Sequence, residues 1–584
     1  MNNRITRHLT SCFCCLVAVT ATLVGCVSGN EVTEGEEMMF DGVYEGIGEG
    51  RSGMIKVALT VQDHAIASAR VVTQSESSFA QEALLEMVNR IVAAQGVDGV
   101  DAVSGATLTS NGVMQAMGMA IDAAYGRHRE VKDYEDTSCD VVVVGAGGAG
   151  LSAAIEAASQ GCHVIVLEKR SYIGGNTNSS TGGINAAGTP FQQALGIEDS
   201  EELFYKDIME GGHYLNDPLL VSTLVRGASP TLQWLSSFGT DLTSVGLMGG
   251  SSVPRTHRPQ GGTAIGPHLM KMLSAKATEL GIEIRTGNTV TDVKRRRDGS
   301  AGGVTVRLEN GKRYTIFSKA VVLATGGFGA NLSMVTEYRS DLVGFSTVNH
   351  IGATGDAFKW VDKFGAELYQ MDQIQVHPTV EVKNNLMITE AVRGNGAILL
   401  NRDGYRFVNE LQTRDVVSWA ILSQRGGTAF LLFDQDLRKS LSSIETYVSQ
   451  GLLTEGNTLG ELAGKVGIDP GALQQSVERY NAFQGEGEDE DFGRTSTQMP
   501  RPISTAPYYI VEVKPAIHHT MGGIHIDDRA SVLTTGGVPV GGLFAAGEVT
   551  GGVHGGNRLG GNGVADIVVF GKIAGESAAR YASK

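Results

Sequence analysis

The run Asp140-Val-Val-Val-Val-Gly-Ala-Gly-Gly-Ala-Gly150 constrains the fold of this chain more than any other stretch. Four consecutive valines read as a strand buried on both faces of a parallel sheet, and the glycines fall where that strand must turn sharply into a helix. Gly145, Gly147 and Gly150 make the G-x-G-x-x-G spacing. The first permits the tight turn, the second lets backbone approach a pyrophosphate at the helix N-terminus, and the third lets helix pack on strand. A second apolar run, His163-Val-Ile-Val-Leu-Glu168, ends in a carboxylate placed to hydrogen-bond a ribose hydroxyl. With 78 glycines the chain matches loose glycine patterns by chance. Strand, glycines, helix, strand and acid in one register do not arise that way, and they predict a Rossmann-like α/β domain holding a dinucleotide.

A chain of 584 residues is too long for a single core. Its net charge of -16, with no basic tract, argues against nucleic acid as a partner, so an anionic substrate has to be met by a local cluster of arginine and histidine. Of the cysteines, Cys12, Cys14, Cys15 and Cys26 fall at the N-terminus, and Cys139 and Cys162 flank the central strand pair. That spacing suits neither a disulfide framework nor a zinc site, and no metal is expected. Residues 1–26 open with Arg4, Arg7 and His8, run apolar from Cys12 to about Val24, and close with Leu23-Val24-Gly25-Cys26. The apolar run is shorter than the ~20 residues that span a bilayer and reads as a signal peptide. Its end resembles the lipobox of bacterial lipoproteins. That resemblance implies cleavage before Cys26, a diacylglycerol on its sulfur, and a mature protein outside the cytoplasm, lipid-anchored at the membrane. Residues 27–39 read as a tether.

Residues 40–128 have a different texture, that of a small α+β domain. Lys56–Val61 and Ile66–Thr73 read as strands, and Phe79–Ala94 and Asn111–Tyr125 as helices. Between the helices lies Asp101-Ala-Val-Ser-Gly-Ala-Thr107, a glycine-containing turn with hydroxyls ahead of a helix N-terminus, which suits a phosphate. The stretch resembles the D-x-x-[S/T]-G-A-T motif of FMN-binding domains, in which a flavin transferase esterifies FMN phosphate to the last threonine. The resemblance implies covalent FMN at Thr107, with Thr109 and Ser110 as competing hydroxyls.

The dinucleotide unit continues with Gly174-Gly-Asn-Thr-Asn-Ser-Ser-Thr-Gly-Gly-Ile-Asn-Ala-Ala-Gly188, a long turn of small residues able to lie against a flavin; Gly175, Asn176, Thr181, Gly182 and Gly183 are its candidates for cofactor contact. It contains no histidine, so FAD is expected without a covalent bond. Ala320–Gly329 is another strand ending in glycines, Gly326 and Gly327 among them, and Leu543-Phe-Ala-Ala-Gly-Glu548 ends in an acid that can reach a ribityl or ribose hydroxyl. Asp356 and His519 complete the expected cofactor set. The FAD domain is therefore discontinuous, 138–370 and 516–584, with an inserted α+β capping domain at 371–515, and a small substrate is expected between them.

Histidines and arginines taken singly are more often surface or satisfied core residues than ligands. Here they recur in glycine-rich surroundings on both sides of the expected cleft: Gln375-Val-His377-Pro-Thr379, Met387-Ile-Thr389-Glu390-Ala-Val-Arg393, Gln412-Thr-Arg414-Asp415, His518-His519-Thr-Met-Gly-Gly523 and His554-Gly-Gly-Asn-Arg558. At these residues the chain resembles the soluble fumarate reductases of the flavocytochrome c type, within the fumarate reductase and succinate dehydrogenase flavoprotein family, from about Thr137 to Lys584. The resemblance implies one substrate carboxylate on Arg558 and His518 and the other on His377 and Thr389. It implies Met248 and Met387 against the double bond, Arg414 as proton donor, and Glu390 and Arg393 as its relay. Chemically, cationic donors in a dry site polarise an unsaturated acid, hydride passes from N5 of reduced FAD to one carbon, and an acid protonates the other. Because arginine holds its proton so tightly, residue chemistry alone nominates His518 as that acid.

The departures from the resemblance also inform. Flavocytochromes c carry haem C-x-x-C-H motifs ahead of the flavoprotein; here Leu16 follows Cys12–Cys15, and an FMN domain stands in the haem domain's place. The expected function is an extracytoplasmic reductase converting fumarate to succinate at the end of anaerobic respiration, fed by a membrane quinol-linked donor such as a cytochrome or quinol oxidase subunit. The alternatives are reduction of methacrylate, itaconate, urocanate or a cinnamate-like acid, and a non-catalytic electron-transfer lipoprotein. Relatives that reduce urocanate carry tyrosine and aspartate where this chain has His377 and Thr389, which disfavours urocanate.

Overall fold

The computed structural model describes residues 38–584 apart from 52, 75, 77, 104 and 127–132, so the expected signal segment and Cys26 lie outside the described residues. The N-terminal domain is an antiparallel sheet of β1 (Gly42–Glu49), β2 (Met54–Gln62) and β3 (Ala65–Thr73) covered by α1 (Ser78–Ala94) and α2 (Thr107–Ala124). Its core gathers Ile55, Leu59, Met87, Ile91, Val113 and Met117. The sequence reading missed β1, whose alternation is broken by glycines. One of them is needed there: a Cβ on Gly48 would lie 1.9 Å from the carbonyl oxygen of Gly112, so strand and helix touch backbone to backbone. Helix α2 starts at Thr107, four residues before the expected Asn111. The polar Leu-Thr-Ser that reads as loop is helical, with both of its hydroxyls already bonded. Ser110 Oγ accepts from the Val103 amide at 3.0 Å, and Thr109 Oγ1 donates to Glu76 at 2.5 Å.

The central domain is built on parallel pairing. The valine strand is β4 (Thr137–Val144), which pairs on one side with β5 (Val164–Leu167) and on the other with the end of Arg313–Leu323; Pro539–Ala545 continues the parallel order beyond. Val141, Val142 and Val143 have no exposed surface, as a strand between helical layers requires. Helix α3 (Gly148–Ser159) follows the turn, and the C-terminal helix Asn562–Ala582 packs along it. Close approach is again forced by sequence: Gly145 has φ +105°, and a Cβ there would lie 2.3 Å from the Ala324 carbonyl oxygen.

The inserted domain carries a five-stranded sheet in which Ile374–Glu381, Tyr508–Thr520, Ala429–Asp434 and Ile398–Leu400 lie in that order and Thr454–Gly456 pairs with Tyr508–Thr520. It has two cores, one around Leu399, Leu431 and Phe433, the other around Leu462, Leu473 and Tyr480. The N-terminal domain rests on both neighbours. Glu49 pairs with Arg170 and accepts from the Ser171 amide at 3.3 Å, and Gln450 Nε2 donates to the Gly105 carbonyl at 3.1 Å. Among the described residues no helix is long and apolar enough to cross a membrane.

Candidate active site and flavin cradles

The glycine turn opens into a cavity of about 120 Å³ lined by Gly145, Gly147, Glu168, Gly175, Asn176, Gly326, Asp356 and Glu548, among others. Helix α3 begins there with Gly147 as its cap, which has no side chain to accept from the first turn; Thr177 Oγ1 accepts from the Gly148 amide at 3.1 Å, and the N-terminus suits a pyrophosphate. Burial pushes the Glu168 carboxyl above its usual range; its oxygens accept only main-chain N–H groups, from Ala146 at 3.0 Å and Arg170 at 2.9 Å. Burial likewise raises Glu548, which accepts from the Thr520 amide and from Asn176 Nδ2. Two desolvated carboxylates with acceptor capacity to spare suit ribose and ribityl hydroxyls. Asn176, Thr177, Glu548 and Ile567 also line a second cavity of about 520 Å³, so an elongated dinucleotide fits from one into the other. These residues fit FAD. Thr181, Gly182, Gly183 and His519 line the larger cavity. Gly150 and Gly327 line neither: a Cβ on Gly150 would lie 1.9 Å from Gly145 O, and one on Gly327 2.0 Å from Thr520 Oγ1, so both act through close packing.

The larger cavity gathers His377, Met387, Thr389, Glu390, Arg414, His518, Arg558 and Met248 from both domains. Its geometry follows from two strands and two short helices. Ile374–Glu381 and Tyr508–Thr520 pair antiparallel, with a shift between Gln375 and Val376, and bring the His377 and His518 rings to 5.2 Å. Thr389 caps the helix Glu390–Gly394, which projects Glu390 and Arg393, and Arg414 opens the helix Arg414–Leu422. Arg414 Nε donates to Glu390 Oε2 at 2.8 Å and Nη1 to Gln375 Oε1 at 3.0 Å; Nη2 has no protein partner among the described residues. Glu390 also accepts from the Gly249 amide at 2.6 Å, and Arg393 stands 3.9 Å from it. Gln375 in turn donates to the Arg558 carbonyl at 2.8 Å.

Charge here is unbalanced. Arg414 and Arg558 line the cavity, Arg258 reaches it through Met248 and Arg393 through Glu390; Glu390 is the one carboxylate within ion-pair distance of any of them among the described residues, Glu548 and Asp566 acting on Arg558 at longer range. Burial, reinforced by Arg414, lowers Arg558 to about 9, and its Nε has no partner. Burial lowers Arg393 and Arg258 to about 10. Burial alone would raise Glu390, but the charges of Arg414 and Arg393 outweigh it and hold the carboxyl below its ordinary range. The arrangement is built to receive a dianion.

Burial disfavours a charge on the histidines. Burial, with Arg414 and Arg558 adding to it, holds His377 and His518 well below the ordinary imidazole value, and His519 is depressed in the same way. The expectation that His518 would be the acid is therefore corrected. An imidazole beside two guanidinium groups has no proton to give at neutral pH; it can still donate one ring N–H to a carboxylate.

At the outer end of the same cavity is Thr107. Of the three candidate hydroxyl residues it alone is exposed: Thr109 and Ser110 are buried and already bonded. Sequence reasoning missed four contributors. Gln375 joins Arg414 to Arg558, and its place two residues before His377 on one strand face was a signal for it. Arg258 donates to Met248 Sδ at 4.0 Å, Tyr447 Oη accepts from the Thr389 amide at 2.9 Å, and Asn349 accepts from Asn176 at 2.7 Å. Nothing local marks these three, because each acts from a distant part of the chain.

The FAD binding domain family matches residues 140–564 and the FMN-binding domain family residues 50–122. Fold and site together thus define an FAD-dependent oxidoreductase with a second flavin-binding domain. A fumarate reductase (cytochrome) of Shewanella frigidimarina is 46% identical over 445 residues, 76% of this chain and 78% of the relative. A urocanate reductase of Eggerthella lenta is 34% identical over 564 residues, 92% of each. The open conformation of a flavocytochrome c3 fumarate reductase superposes with a TM-score of 0.64 at 43% identity, covering 77% of this chain and 79% of that one. The chain belongs to the fumarate reductase family of flavoproteins, whose members act on a carbon–carbon double bond.

Proposed function

We propose that the protein reduces fumarate to succinate outside the cytoplasm, as the terminal step of an anaerobic electron-transport chain. The observation that carries this reading is a single cavity in which Arg414, Arg558, His377, His518 and Thr389 meet; in this reading Arg558 and His518 hold one carboxylate and His377 and Thr389 the other. A substrate with two carboxylates satisfies both clamps; one with a single carboxylate leaves a buried cation unpaired, which costs several kcal/mol. Met248 and Met387 flank the space between. Bound FAD supplies the hydride. The chain's own part is to hold the alkene, polarise one carboxylate and deliver a proton. Arg414 does the last, since Glu390 and Gln375 fix its Nε and Nη1. A guanidinium gives up a proton only if one replaces it at once, and Glu390, with Arg393 behind it, is placed to return that proton.

We further propose that FMN is esterified to Thr107 by a flavin transferase and passes electrons from a membrane quinol-linked donor to FAD, and that Cys26 carries the lipid anchor. Relatives spanning nearly the whole chain include a urocanate reductase and an NADH:acrylate oxidoreductase, but His377 and the hydroxyl of Thr389 suit a second carboxylate. Anaerobic turnover of viologen-reduced protein against fumarate, urocanate, acrylate, methacrylate and itaconate is the test. Fumarate should be preferred, and faster turnover of a monocarboxylate would overturn the substrate assignment. Thr107→Ala should lose one covalent flavin by mass and in-gel fluorescence while retaining FAD.

A further inference from the structure

We propose that the FMN carried on the N-terminal domain has its ring seated mainly by the other two domains, on a surface of which the helix Ser443–Ser449 of the inserted domain is the principal wall. The inference rests on Thr107 being the attachment residue. Of the residues lining the larger cavity, the N-terminal domain supplies Arg51, Ala80 and the stretch 105–109, and all the others belong to the central and inserted domains. On the side facing Thr107 these include Ser443, Thr446 and Gln450, opposite Thr263 and Pro267 of the central domain.

Three observations mark this surface as a seat. Ser443, Thr446 and Gln450 give this wall a polar lining, suited to the polar edge of an isoalloxazine. Gln450 ties the wall to the attachment loop through its bond to Gly105 O at 3.1 Å, next to the residues that lead into Thr107. Arg51 lines the same cavity, where its charge can meet the single negative charge of a phosphodiester. The wall is also braced from behind, because Tyr447 of the same helix accepts the main-chain N–H of Thr389 at 2.9 Å. One short helix thus faces the Thr107 end with Ser443 and Thr446 and the substrate clamp with Tyr447. A domain that tethers its flavin without enclosing it gains a bound ring only while docked, and Glu49 against Arg170 and Ser171 supplies that docking contact.

The test uses the full chain with both flavins and reads iodide quenching of flavin fluorescence, with Thr107→Ala as the FAD-only baseline. Burial of roughly 80% of the ring predicts that the covalent flavin of the native protein is quenched about fivefold less readily than after denaturation. Thr446→Trp, which fills the seat, and Gln450→Ala, which releases the tie, should both lose that protection while their in-gel covalent fluorescence matches the unaltered protein. A native covalent flavin as open to iodide as the denatured one would overturn the seat, and so would full protection in both variants. If no covalent flavin is present in the unaltered protein, the attachment reading fails. If protection holds but fumarate is not turned over, the substrate reading fails and the seat stands.

Discussion

Two groups of buried arginine in the inserted domain and its border are equally desolvated and differently furnished. Arg406 and Arg494 meet Glu410 and Asp489: Arg406 holds Glu410 at 2.9 and 2.8 Å and Asp489 at 2.8 Å, and Arg494 holds Glu410 at 2.9 Å. Burial alone would raise Glu410, yet these arginines bring it down to about 2. Around the larger cavity, Arg393 and Arg414 pair with Glu390, whereas Arg258 and Arg558 form no ion pair among the described residues, Glu548 and Asp566 acting on Arg558 only at longer range. The first group is closed and neutral, and its return is in fixing the loop that leads to Arg414. The second is left open, with an unmet charge that only a ligand supplies. What separates a site from a scaffold here is the count of carboxylates.

The largest expected effect is on Arg414. Arg414→Ala should lower kcat by on the order of 10²–10⁴-fold, the range of a general acid, while dicarboxylates still perturb the flavin spectrum; loss of that binding would make the residue a clamp instead. Next is the balanced group: Glu410→Gln should destabilise the protein by about 3–5 kcal/mol, since it strands the buried Arg494 and leaves Arg406 on Asp489 alone. A melting temperature unchanged by calorimetry would remove the contrast altogether. Arg558→Ala should cost about 10²–10³-fold in kcat/KM and destabilise the unliganded protein less than Glu410→Gln, because the cation removed forms no ion pair among the described residues. An Arg558→Ala as destabilised as Glu410→Gln would show that the open group is structural as well.

The smallest effect is that of pH. Burial depresses His257 and His350 to about 4, and His377 and His518 also fall well below 6.5. A histidine with a depressed folded value is protonated first in the unfolded chain, so stability is full above about 6.5 and is lost as pH falls from there toward 4. Turnover should carry no imidazole titration between about pH 6.5 and 8. A bell-shaped profile with a limb near 7 would restore a histidine acid, and the melting temperature measured across pH 4–7 checks the other half.

Much of this was legible in the chain because it depends on neighbours in sequence. The valines, the glycine turn and Glu168 lie within one supersecondary unit, and their spacing carries the geometry. The histidines and arginines that meet in the larger cavity could also be picked out, through the short glycine-rich stretches around them. What sequence could not convey is summed over space. The depression of His518 follows from burial, with Arg414 and Arg558, distant in the chain, adding to it, and the lack of an ion pair for Arg258 and Arg558 among the described residues is a property of the whole cavity. The start of α2 was misplaced for a related reason: Glu76, which accepts the Thr109 hydroxyl, is 33 residues away. Strand β1 escaped because its glycines answer to a helix that follows much later in the chain.

The strand Tyr508–Thr520 runs without a break from the sheet of the inserted domain to the wall of the cavity, where it presents His518 beside the partner strand's His377. A lid normally swings on a slack joint and leaves its cargo behind. This one has a stiff rod through the joint, with both imidazoles mounted on it and its neighbour. The rod is anchored at its far end, because Ile517 donates to the Ser346 carbonyl and accepts from the Val348 amide of the central domain, and Gln375 holds the Arg558 carbonyl. Any swing of the lid is thus taken up by bending along thirteen residues of strand, while the two histidines keep their place beside Arg558.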